Sequence, residues 1–256
     1  MSRSLKLVLA CCCLAISVHA QSPDELIHKG KAMIESALKQ SEPTELFNAR
    51  AHFERLLTAK QHETLAHYYL AYCDYRYVTA YAQRENSGKD QSEKYLDDAI
   101  THLEVAIKAN DKFAEAHALL ASCYGQKIGK NSMLGMMLGP KSGASMYTAL
   151  KLEPENPRIL MLDAISKYFT PAMFGGDKDL ALAGFKRSAE IFEKQTKTSA
   201  IQPDWGHAEA YAWIGLAYLD QNKKTEAKPA LERALAIDPD FGWVKQVLYP
   251  RAVAAN

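Results

Sequence analysis

The chain has 256 residues, 48% of them hydrophobic and 24% charged, with a formal net charge of +1. That is enough apolar material for one large domain or two small ones with a real core. So even a balance supplies no clustered cations for nucleic acid and no overall field toward an anionic membrane surface.

Residues 1–20, MSRSLKLVLACCCLAISVHA, carry Arg3 and Lys6, then an apolar run from Leu7 to Val18, then Ala20 with Val18 two positions before it. A basic start, a short apolar core and a small terminal residue form the pattern of a secretory signal peptide, cleaved after Ala20. The run is shorter than the roughly 20 residues that span a bilayer, and no second one follows, so no transmembrane span is expected. Acylation at Cys11, which follows Val8-Leu9-Ala10, is an alternative that leaves a lipid-anchored form, and an uncleaved anchor is another. Without Arg3 and Lys6 the remaining chain carries −1. Cys11, Cys12 and Cys13 leave with the leader. Cys73 and Cys123 remain, too few for a disulfide framework, and they read as small buried packing residues.

Residues 21–256 read as one domain of helical hairpins that repeat a single spacing. Counted from the start of each unit, large residues fall at positions 4 and 7, a small one at 8, an aromatic at 11, alanine at 20 and 27, a large residue at 24 and proline near 32. Positions 4, 7, 8 and 11 share one stripe of the first helix, which the second helix covers.

The first unit spans 23–60, with Thr44 as N-cap, Pro43 outside it, and Ala49, Phe53 and Leu56 at positions 20, 24 and 27. The second begins at Thr64. Asp74 stands where an aromatic is expected, and Ala99, Leu103 and Ala106 follow a polar connector, ENSGKDQSE. The third starts at Ala114, with His117, Leu120, Ala121 and Tyr124 in place, and its second helix is delayed by KIGKNSMLGMMLGPKSG. The fourth runs from Pro157 through the link TPAMFGGDK to Ala181, Phe185 and Ser188. The irregular stretches 127–143 and 170–178 read as lids or spacers, and in the second of them Gly175 and Gly176 allow a tight, positive-φ turn into the next helix. Met133, Met136 and Met137 read as a short helix filling a gap, or as a flexible lip over a ligand. The fifth unit, 208–239, is the most regular, with Tyr211, Ile214, Gly215, Tyr218, Ala227, Leu231, Ala234 and Pro239 all in register. Pro229 falls near the first turn if its helix begins around Thr225. The final stretch predicts a helix whose Trp243, Val244 and Leu248 cover the end of the stack.

This spacing resembles the tetratricopeptide repeat (TPR), strongly over 208–239 and more loosely over 24–239. The resemblance implies an all-α fold, a TPR-like superhelical stack of about five helical hairpins with a C-terminal capping helix. Pro171, Phe174, Gly175, Gly176, Ala181 and Phe185 are in turn similar to exported bacterial TPR proteins, including the T component of TRAP solute transporters. That similarity implies a periplasmic address.

No catalytic constellation stands out. GMMLGPKS lacks the spacing of a phosphate-binding loop, and the two histidines of HETLAH would lie about 140° apart around a helix, too far to share one ion. No metal site and no cofactor is expected, nor is an enzyme.

In TPR stacks the first-helix positions 2, 5, 9, 12 and 13 line the concave groove. Here they give Tyr68, Tyr72, Tyr75 and Arg76 in the second unit, and Arg158, Met161, Ile165, Tyr168 and Phe169 in the fourth. The expected partner is a protein or peptide, held by Tyr68, Tyr72, Tyr75, Tyr168 and Phe169, with Arg76 and Arg158 reading charge. Ordinary packing between helices is the other reading of the same tyrosines. The alternative function is a transport accessory that holds a small apolar ligand.

Overall fold

The computed structural model describes residues 21–40, 43–80, 91–196 and 199–254, and their secondary structure is helical throughout. The expected leader lies outside them, as does most of the polar connector ENSGKDQSE. Among the described residues ten helices pair into five antiparallel hairpins: α1 (Pro23–Gln40) with α2 (Pro43–Thr58), α3 (Glu63–Ala80) with α4 (Ser92–Ala109), and α5 (Ala114–Lys130) with α6 (Gly135–Leu152). The last two are α7 (Pro157–Phe169) with α8 (Lys178–Lys194) and α9 (His207–Asp220) with α10 (Lys224–Ile237). Hairpins stack in chain order, α2 on α3, α4 on α5, α8 on α9, and α5 also meets α7. Among the described residues no helix is long and apolar enough to cross a membrane.

Small residues set the approach within hairpins. A Cβ on Gly215 would stand 2.3 Å from the Leu231 side chain, so the glycine is the hole that receives that knob. Gly30 receives Phe53 in the same way, with 2.4 Å to the ring. The Ala, large, Ala stripes of the second helices are fully buried: Ala49, Phe53 and Leu56, then Ala99, Leu103 and Ala106, then Ala227, Leu231 and Ala234. At the end, a π-helical turn at Val244–Leu248 leads into α11 (Tyr249–Val253). Val244, Leu248 and Ala252 close over Leu231 and Ala234, which gives the stack its cap.

Three local expectations change, and the turn expected of the two glycines in the fourth unit is present. Helix α2 begins at Pro43, so Thr44 lies inside its first turn and proline occupies N1, where a missing amide costs nothing. Helix α10 begins at Lys224, which puts Pro229 in its second turn. The carbonyl it leaves unbonded belongs to Thr225, which is exposed and can bond water. Residues 127–143 extend the hairpin, since α5 runs on to Lys130, a 3-10 turn covers Ser132–Leu134, and α6 starts at Gly135. The methionines there fill no gap. Leu134 and Leu138 pack inward, while Met133, Met136 and Met137 stand in solvent. Residues 170–178 are a tight reversal: Gly175 has φ +91°, and a Cβ on Gly176 would sit 1.7 Å from the Thr170 carbonyl oxygen. Asp177 then caps α8, accepting from the amides of Asp179 and Leu180 at 2.9 Å.

Candidate functional site

The concave side of the second hairpin is covered by the chain's own segment 199–206, which leads into α9. Tyr69 donates its hydroxyl to the Ile201 carbonyl at 2.8 Å. From α1, Lys31 donates to the carbonyls of Ala200 and Gln202 at 2.8 and 2.7 Å and pairs with Asp204 at 2.9 Å. Trp205 lies against the Tyr72 ring with centroids 4.9 Å apart, and its indole N–H donates to the Tyr68 hydroxyl at 3.1 Å. The strap takes up the surface that the groove positions assign to a partner.

Beneath it sits a buried polar knot. Tyr68 donates to Glu115 Oε2 at 3.3 Å, and Arg158 donates to Glu115 Oε1 through Nε and Nη2 at 2.9 and 2.7 Å. Asn156 adds a third bond to that oxygen, also at 2.9 Å. Burial, reinforced by the nearby Glu115 carboxylate, holds the Tyr68 hydroxyl well above its ordinary pKa, so it stays a donor.

Of the seven residues expected to meet a partner, the structure gathers Tyr75, Arg76 and Phe169 at one open cleft and turns the other four inward. Tyr68 and Arg158 belong to the Glu115 knot, and Tyr72 lies behind Trp205. Tyr168 donates to Asp220 Oδ2 at 2.7 Å within the core between α7, α8 and α9. Phe169 is 65% exposed and projects at the cleft.

The cleft has a volume of about 300 Å³. All three tryptophans of the chain, Trp205, Trp213 and Trp243, line it, together with Phe169 and Phe241. Trp213 meets Trp243 edge to face at 5.0 Å and Phe169 at 5.9 Å, and it stacks on Phe185 at 5.8 Å from behind. These contacts fix the ring orientations before anything binds.

One ion pair stands among the rings. Arg76 Nη1 lies 2.8 and 2.9 Å from the two Glu209 oxygens, joining α3 to α9 across the superhelix. Its buried Nε has no hydrogen-bond partner among the described residues, nor does the hydroxyl of Tyr72, whose ring lies 5.8 Å from the guanidinium.

Sequence reasoning missed the tryptophans, because Trp205 and Trp243 lie outside the five units and Trp213 falls at position 6, which is not a groove position. It also missed Glu115 and Glu209, although both occupy position 2 of their units. Applied to every unit, the rule that picked out Arg76 and Arg158 also marks their carboxylate partners.

Other candidates resolve into packing. His62 bonds Asp24 at 2.8 Å and His67 meets His102 with their Nδ1 atoms 2.9 Å apart, so the two histidines of HETLAH point to different neighbours. Cys73 and Cys123 are free and buried, and burial raises both thiol pKa values.

A tetratricopeptide repeat model matches residues 208–241, the stretch with the most regular spacing. No curated protein matches the chain in sequence. Among solved structures the chain is similar to the HusA haemophore from Porphyromonas gingivalis, at 25% identity over 79% of this chain and 96% of that one, with a TM-score of 0.66. It is also similar to TTC0263, a thermophilic TPR protein of Thermus thermophilus, at 15% identity over 88% of this chain and 98% of that one, with a TM-score of 0.60. The second likeness concerns the fold alone.

Proposed function

We propose that this TPR-type protein, built on the scaffold of an interaction module, is a non-enzymatic binding protein whose cleft holds a flat, largely apolar ligand. The observation that carries the reading is the convergence of all three tryptophans and two phenylalanines on one opening of about 300 Å³. Five rings around a single ion pair suit a conjugated planar molecule, which stacks on π-faces and leaves few polar atoms to satisfy. The similarity to a haemophore points to a porphyrin as the first ligand class to try. Export belongs to the same reading and rests on the pattern of residues 1–20.

A protein or peptide is the second reading, favoured by the open mouth of the cleft at Phe169. The strap over Tyr68, Tyr69 and Tyr72 leaves such a partner little more than the cleft itself, which weighs toward the small ligand. The transport accessory considered from sequence would use the cleft in the same way.

Titration of the mature protein with haemin and with metal-free protoporphyrin, read by tryptophan fluorescence, tests the proposal. Saturable quenching is expected, weakened about tenfold by Phe169→Ala, roughly the worth of one aromatic contact. Phe169 is exposed enough for that variant to stay folded. Linear, non-saturating quenching unchanged by the variant sinks the porphyrin reading. Capture of a polypeptide that Phe169→Ala releases moves the assignment to the second one.

A further inference from the structure

We propose that α1 sets the shape of the cleft from outside it, with Lys31 and Lys39 as positioning residues that hold two of its walls. This rests on the reading of the cleft as the binding site, and its first measurement needs no ligand.

Lys31, Leu38 and Lys39 fall at i, i+7 and i+8, on one face of α1. Leu38 lines the cleft and neither lysine does. The Lys31 ammonium has three donors, and three acceptors surround it: the Ala200 and Gln202 carbonyls at 2.8 and 2.7 Å and the Asp204 carboxylate at 2.9 Å. All three belong to the strap. Pro203, buried between the last two of them, has a fixed φ, so the hold on 200–204 passes to Trp205 in the cleft wall. Beyond Trp205 the strap is pinned at Gly206, where an added Cβ would stand 3.0 Å from the Phe192 ring and 3.2 Å from Met161 Cε. Trp205 therefore hangs between two fixed points, one of them made by α1.

The second strut reaches another wall. Lys39 Nζ lies 3.5 Å from Asp238 Oδ1, and the Asp238 carbonyl accepts from the Phe241 amide at 3.1 Å. The braced turn is thus the one that delivers Phe241 and Trp243 to the cleft. Helix α1 packs on α2 and touches α3, yet among the described residues it shares no packed helix interface with α9, α10 or the cap. The polar joins from α1 to both walls are the two lysines. Lys31 should matter more, because its side chain is only 12% exposed, while the Lys39 pair is longer and lies nearer the surface.

The test is fluorine NMR of the mature protein carrying fluorotryptophan, with the Trp205, Trp213 and Trp243 signals assigned by Trp→Phe replacement. Without ligand, Lys31→Met is expected to shift the Trp205 signal and leave that of Trp243, and Lys39→Met to do the reverse. Walls no longer held must be ordered on binding, so Lys31→Met is expected to weaken metal-free protoporphyrin about fivefold and Lys39→Met about twofold. Asp204→Ala removes one of the three strap contacts at a residue 67% exposed, so it keeps the fold and should move the Trp205 signal by a smaller amount. A Trp205 signal unmoved by both Lys31→Met and Asp204→Ala overturns the proposal, as does porphyrin affinity that stays constant while the signals shift. Shifted signals in a protein that binds no porphyrin support the struts and count against the porphyrin reading alone.

Discussion

The second hairpin and the cleft beside the last hairpin are both aromatic, yet their rings have opposite fates. Tyr68, Tyr69 and Tyr72 are closed in by the strap, and Tyr69 and Tyr68 spend their hydroxyls on Ile201 and Glu115. Trp213, Trp243 and Phe169 are braced by one another from the sides and left open in front. Aromatic density alone does not mark a binding surface. What matters is whether the chain supplies its own cover, and here a segment distant in sequence does so for one region only.

Breaking the covered region should cost the most. Glu115→Ala leaves Arg158 buried without its carboxylate and is expected to destabilise by about 3–5 kcal/mol, measured by denaturant unfolding. Glu115→Gln should lose less, because it keeps acceptors for Arg158 and Tyr68. The smaller loss would separate the hydrogen bonds from the charge.

The second hairpin should also respond to acid. Burial, then the neighbouring His67, pushes His102 down to about 4 from an ordinary value of 6.5. A ring whose folded pKa is depressed contributes stability that is complete above about pH 6.5 and is lost as pH falls toward 4. The loss is expected to reach about 2 kcal/mol after allowance for partial solvation, and His102→Gln should flatten that part of the unfolding-midpoint curve against pH.

At the cleft, Trp213→Ala is expected to weaken a bound planar ligand about tenfold, near 1.4 kcal/mol, when read by isothermal titration. Equal weakening by Tyr68→Phe would erase the distinction between the two regions. The smallest effect expected is that of Tyr69→Phe, about 1 kcal/mol for the lost bond to Ile201. It should show as faster amide exchange at 199–206 with α9 unchanged.

How far the sequence was legible depended on the range of the interaction. Gly215, Ala227 and Leu231 meet within one hairpin, so their spacing alone predicts the knob and the hole. The wide hairpin turns were less legible, since apolar Met133 and Met136 read as gap fillers until Leu134 and Leu138 were seen to take the inward positions. The site was legible in part. Groove positions identified Arg76 and Phe169, but no local pattern brings Glu209 to Arg76 or Trp205 onto Tyr72.

The sequence by itself determined the helical hairpins, their order, their small-residue seams and the cap, because each arises from contacts within about forty residues at helical spacing. Only the tertiary structure decided which aromatic rings are core and which line the cleft. That division depends on the curvature of the stack, which carries α9 round to α3 so that Arg76 and Glu209, 133 residues apart, can pair. Curvature is the sum of small rotations between hairpins, and no single repeat encodes it.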